Sequence, residues 1–81
     1  MLQDLITAAN RTVGFKQTMK ALKAGNAVKV FLAMDIEEHM ALKIKDQCLV
    51  SDTELEMVGS MNELGEACGI QIGAATAAIL K

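Results

Sequence analysis

Val28 to Met34 is a nearly continuous apolar run with β-branched residues, interrupted only by Lys29. It reads as a strand buried on both faces, and such a strand belongs in a sheet covered by helices on both sides. The flanking segments supply those helices. Phe15, Met19 and Leu22 fall at i, i+4 and i+7 and form the core stripe of a helix over about 15–24. Gly25-Asn26 is its stop, because Gly accepts the left-handed cap geometry. Leu2, Leu5, Ile6 and Ala9 recur at helical spacing, so a short first helix precedes it, broken by Thr12-Val13-Gly14. After the run, Asp35 is placed to cap a helix with Glu38 at the third position, and Ile36, Met40 and Ile44 give that helix an inner row continuing to Cys48. Thr53, Leu55 and Met57 alternate with Glu54 and Glu56, the pattern of a strand with one wetter face. Ser60-Met61-Asn62-Glu63 matches a capping box, opening a last helix that Gly69 closes. Ala75 to Leu80 makes a final apolar strand. Helices and strands alternate throughout, so the expected fold is α/β, a three-layer α/β/α sandwich with a small mixed central sheet, in a single domain over 1–81.

The chain has 81 residues, of which 52% are hydrophobic but only two are aromatic, both Phe. The core is therefore aliphatic, and the same deficit weakens any reading that needs aromatic platforms for stacking single-stranded bases. No apolar stretch approaches the roughly 20 residues that span a bilayer, so no membrane partner is expected. Met1-Leu2-Gln3-Asp4 lacks the basic-then-apolar plan of a signal peptide. Cys48 and Cys68 form no CxxC pair and read as reduced, buried thiols, which places the chain in the cytoplasm. His39 is the only histidine. One His without clustered Cys cannot hold zinc, and on a helix among Glu37, Glu38 and Lys43 it reads as a surface residue. No GxxxxGK[ST], GxSxG or paired-carboxylate motif is present, so neither an enzyme nor a cofactor is expected.

The net charge of −2 argues on its face against nucleic acid. Its distribution argues otherwise. Residues 1–30 hold five bases (Arg11, Lys16, Lys20, Lys23, Lys29) and one acid (Asp4), giving +4, and the remaining residues carry −6. Lys16, Lys20 and Lys23 share one helix face, where like charges repel by a few tenths of a kcal/mol per pair. They form either a solvated face or a phosphate-binding one. Gly14 favours the second reading, since a glycine just before a helix lets backbone amides approach a phosphate beside the positive end of the dipole. Arg11 and Lys29 would extend the patch. The segment from Leu64 to Ala75 places Ile70 and Ile72 in a short glycine-flanked loop. They are either buried loop aliphatics or an exposed apolar tip. In an extended loop the two would point the same way, with Gln71 turned elsewhere to hydrogen-bond.

Two of these stretches together resemble one family. Val13-Gly14-Phe15-Lys16-Gln17-Thr18-Met19-Lys20-Ala21-Leu22-Lys23-Ala24-Gly25 resembles the glycine-led RNA-binding helix of the ribosomal protein L-seven-Ae superfamily. Leu64-Gly65 through Ala75 resembles its second RNA-contacting loop. The pattern is most similar to the bacterial YbxF-type branch, with Lys16-Gln17 where archaeal members carry Asn-Glu. The resemblance covers essentially the whole chain. It implies a protein that binds kink-turn RNA, a sharply bent duplex with tandem sheared G·A pairs. Gly14, Lys16, Gln17 and Lys20 would then contact the kinked backbone and the G·A pairs, while Ile70, Gln71 and Ile72 pack on the protruding loop nucleotides. Structured RNA, ribosomal RNA among the candidates, would be the partner of a monomer, and DNA would not. Such a kink is recognised as shape, with little need for stacked aromatics. A protein-interaction module of the same fold, working through its acidic surface, is the competing reading.

Overall fold

The structure, a computed structural model, describes residues 2–81. Its elements are α1 (Leu2–Thr7), β1 (Arg11–Val13), α2 (Phe15–Lys23), β2 (Ala27–Ala33), α3 (Glu38–Val50), β3 (Glu54–Val58), α4 (Met61–Ala67) and β4 (Thr76–Leu80). The four strands form one mixed sheet in the order β1-β4-β2-β3. β2 and β3 are parallel, whereas β4 runs antiparallel to both β1 and β2.

The apolar run behaves as its composition demands. Side chains alternate across a strand, so Phe31 and Ala33 enter a core with Leu5 of α1 and Leu64 of α4. Val30 and Leu32 enter a second core with Leu22 of α2 and Ile44 of α3. Two helices thus cover each face of the sheet, and the three-layer sandwich follows. Ala77 and Ala78 of β4 are fully buried on opposite faces. The run is not covered at its ends, where Val28 and Met34 are exposed.

Several local expectations are corrected. Thr12 and Val13 do not merely interrupt a helix. With Arg11 they form β1, whose register sets Arg11 opposite Ile79 and Val13 opposite Ala77. Asp35 does not cap α3, which starts at Glu38 without a side-chain cap. Its Oδ1 instead accepts from the Met61 backbone N–H at 2.8 Å, capping α4 from another loop. Ser60 does cap α4 as its motif indicates, its Oγ accepting from the Glu63 N–H at 3.1 Å. In α2 the fully buried residues are Thr18, Ala21 and Leu22, while Phe15 and Met19 are only half-buried at its rim. On β3 the wet and dry faces are not clean: Glu56 is half-buried and Met57 exposed.

Lys29 of β2 accounts for the position of Glu56. The β2–β3 register sets Lys29 opposite Glu54. The Lys29 Nζ lies 2.8 Å from Glu56 Oε1, 3.2 Å from Glu54 Oε2 and 3.9 Å from Asp4 Oδ2. It also stands 5.3 Å from the Phe31 ring centroid. The hydrogen bond to Glu56 raises the Lys29 pKa, and the same bond lowers that of Glu56. Both cysteines are free and buried, and burial pushes their thiols up.

Candidate nucleic-acid interface

Because β4 is antiparallel to its two neighbours, β1, β2 and β3 all point the same way. Their C-terminal ends, the N-termini of α2, α3 and α4, and the loop leading into β4 therefore gather at one end of the sheet. This end holds most of the residues the sequence singles out.

Gly14 forms its corner. At φ 100° and ψ 158° it occupies a region essentially reserved for glycine. Its N–H donates to the Thr76 carbonyl at 2.8 Å, and its own carbonyl accepts from the Thr18 N–H at 3.1 Å. The start of α2 is thereby tied to the start of β4. Thr18 is held in turn by a 3.1 Å hydroxyl contact with Thr12, and Thr76 by its 2.6 Å hydrogen bond to the Phe31 carbonyl. A Cβ at Gly14 would meet no atom within 4 Å, so the corner faces open space. No side chain caps α2. Its first-turn amides and the positive end of its dipole are left for an external acceptor.

Lys16, Gln17 and Lys20 are all exposed on the first two turns of α2. Lys23 continues the row, and Lys43 of α3 faces it across an open groove floored by Phe15 and Met19. Lys43 was not singled out by sequence. Its membership depends on the packing of α2 against α3, which no local pattern announces.

Arg11 and Lys29 do not extend the patch. Arg11 donates from Nη1 to the Leu5 carbonyl at 3.1 Å and from Nη2 to the Cys68 carbonyl at 2.9 Å. Its guanidinium thus closes the C-terminal ends of α1 and α4, where orphan carbonyls and dipoles favour a cation. Lys29, its side chain only 12% exposed, is enclosed by carboxylates.

The glycine-flanked loop beside this corner divides its two isoleucines. Ile72 is 75% exposed and Gln71 is exposed. Ile70 is half-buried against the α1/α4 core, contrary to the shared-side expectation. The reason is the way α4 ends. Gly69, at φ 74°, donates to the Glu66 carbonyl at 3.0 Å, and Ile70 donates to the Gly65 carbonyl at 3.1 Å. This is a Schellman closure, in which the residue after the left-handed glycine commonly packs back on the helix. Gly65 is a further residue that sequence did not single out. A Cβ there would collide with the Ile72 carbonyl oxygen, so glycine lets the loop lie directly on α4. The Ala74 N–H, bonded to the Met61 carbonyl at 3.0 Å, pins its far end.

No group of three or more potential metal ligands occurs among the described residues. No helix there is long and apolar enough to cross a membrane.

Fold and site together define an α/β/α sandwich that presents a glycine-led cationic helix beside a projecting loop. The sequence profile of the ribosomal protein L7Ae/L30e/S12e/Gadd45 family matches residues 2–81, and the chain belongs to that family. It is 46% identical over 68 residues to an RNA-binding protein of Caldanaerobacter subterraneus subsp. tengcongensis, covering 84% of this chain and 83% of that one. It is 37% identical to the RNA-binding protein YbxF of Geobacillus stearothermophilus, covering 98% and 96% of the two chains. The large ribosomal subunit protein eL8 of Halobacterium salinarum shares 34% identity over 83% of this chain and 57% of its own length. Among solved structures, the Giardia lamblia 15.5kD RNA binding protein superposes with a TM-score of 0.87 at 23% identity, covering 99% of this chain and 68% of that one. That likeness establishes the fold.

Proposed function

We propose that this chain is a non-enzymatic RNA-binding protein that recognises kink-turn RNA, acting as a cytoplasmic monomer that is ribosomal or ribosome-associated. The observation that carries the reading is the juxtaposition at one end of the sheet. The open Gly14 corner is bonded to the first residue of β4, the strand into which the loop bearing Gln71 and Ile72 leads. A sharp RNA bend presents closely spaced phosphates and an opened groove together, and this end of the molecule offers a matching pair of surfaces. The uncapped amides after Gly14, with Lys16 and Lys20, suit the backbone, since charge-assisted bonds to phosphate are the strong ones. Gln17, exposed in the first turn of the helix, suits the edges of the sheared G·A pairs. Ile72 and Gln71 suit the nucleotides that protrude from the bend, and Ile70 supports them from below. The relatives named as RNA-binding and ribosomal proteins support the same reading.

A gel-shift titration against a kink-turn duplex, beside the same duplex with its G·A pairs replaced by Watson–Crick pairs, tests it. Tight binding only to the first is expected. Equal binding to both would reduce the function to general RNA affinity, and no binding to either would remove it.

A further inference from the structure

The groove between α2 and α3 reaches beyond the residues assigned to the kink. Lys16, Lys20 and Lys23 line it from α2 and Lys43 from α3, and Phe15 and Met19 form its half-buried apolar floor. No acidic side chain among the described residues lines it, although the chain has ten acids against eight Lys and Arg. None of these four lysines takes part in an ion pair among the described residues. Lys29 shows what the fold does with a lysine held for stability: it surrounds it with carboxylates. Four uncompensated ammonium groups around one groove repel one another, and α2 and α3 hold them together nonetheless.

We infer that this groove is a second RNA contact, a track for the phosphodiester backbone of the duplex flanking the bend. The proposal rests on the kink-turn reading and extends it. From Lys16 to Lys23 the row covers roughly 10 Å of helix at about 1.5 Å per residue. That is long enough for successive phosphates to be met by Lys20, Lys23 and Lys43 after the bend has been gripped at Gly14. The apolar floor suits the sugar faces between the phosphates. Charge selects the occupant: a polyanion satisfies four free cations, and an apolar peptide would leave them buried and unpaired. Lysines that contact only phosphate carry affinity and orientation and no sequence information.

The test compares Lys43→Gln and Lys23→Gln with the unaltered protein on three RNAs. These are a minimal kink-turn, the same kink-turn with an extended flanking duplex, and a plain duplex of equal length. Both lysines are exposed, so the variants should melt with the parent, and a Tm match confirms it. On the extended RNA each variant should bind roughly three- to tenfold more weakly, and the log–log salt slope should fall by about 0.7–0.9 per lost phosphate contact. On the minimal kink-turn, which lacks that flanking backbone, the loss in each variant should be clearly smaller than on the extended RNA. Unchanged affinity and slope on the extended RNA would overturn the track and leave the kink-turn reading intact. A parent protein that binds the plain duplex as well as either kink-turn would overturn the kink-turn reading. In that event, a loss in both variants on the plain duplex would still uphold the groove as an RNA-backbone site.

Discussion

Gly14 holds a backbone conformation that a side chain resists, although its surroundings would accommodate one. Gly14→Ala is therefore expected to destabilise the fold by about 1–3 kcal/mol, the range for backbone strain of this kind. It should weaken RNA binding further in the folded fraction, because the added methyl projects into the space a phosphate would use. Urea unfolding together with a binding titration separates the two effects, and unchanged binding by folded protein would show Gly14 to be a turn residue only. Arg11 makes the opposite case. Arg11→Met removes the donor to the part-buried Cys68 carbonyl, while the Leu5 carbonyl keeps its bond from the Ala8 N–H, and leaving one such group unsatisfied costs about 1–3 kcal/mol. RNA affinity should stay as it was, and a loss of affinity without a loss of stability would return Arg11 to the interface. The two isoleucines should separate in the same pair of measurements. Ile72→Ser is expected to leave stability nearly unchanged while weakening RNA binding. Ile70→Ser should lower stability, because that side chain packs on the α1/α4 core.

At the scale of elements, the legible parts were those with a period or a cap. The run through Val30 to Ala33, the stripe of α2 and the Ser60 box all announce themselves locally. β1 did not, because three residues are too few to show alternation, and its identity comes only from pairing with β4. Asp35 was misplaced because a cap motif names a donor near in sequence, whereas its true partner is Met61, 26 residues away. Arg11 and Lys29 read as surface charges for the same reason: their partners arrive from distant elements. Half of the candidate site, the α2 row with Gly14, was visible as spacing, and Lys43 and Gly65 became visible only through packing. The Lys29 cluster ties α1, β2 and β3 together and carries a pH signature. Glu56 has its folded pKa lowered from an ordinary 4.5, so its contribution is present above that value and lost as pH falls through and below it. Lys29 has its pKa raised from 10.5, so its contribution is complete below 10.5 and declines only at higher, strongly alkaline pH. The cluster's contribution to the melting temperature should therefore be constant between about pH 6 and 9 and be lost on the acid side. Lys29→Met should shrink that acid fall, and an unchanged acid limb would show the cluster to contribute nothing.

Over the whole molecule, the carboxylate cluster around Lys29 and the lysines of the groove lie on opposite faces of the sheet. Asp4, Glu54 and Glu56 converge on Lys29 over the Phe31 face of the sheet. The free lysines line the α2/α3 layer on the other face. A net charge of −2 is thus compatible with a cationic working surface, since binding depends on the local field and not on the total. The most direct test of the account is a backbone amide NMR titration of the labelled protein with a kink-turn RNA. The largest shifts should fall on Gly14, Lys16, Gln17 and Lys20, and on Gln71 and Ile72 of the loop leading into β4. Shifts centred instead on the β3 edge and the carboxylates around Lys29, with the Gly14 corner unmoved, would contradict it.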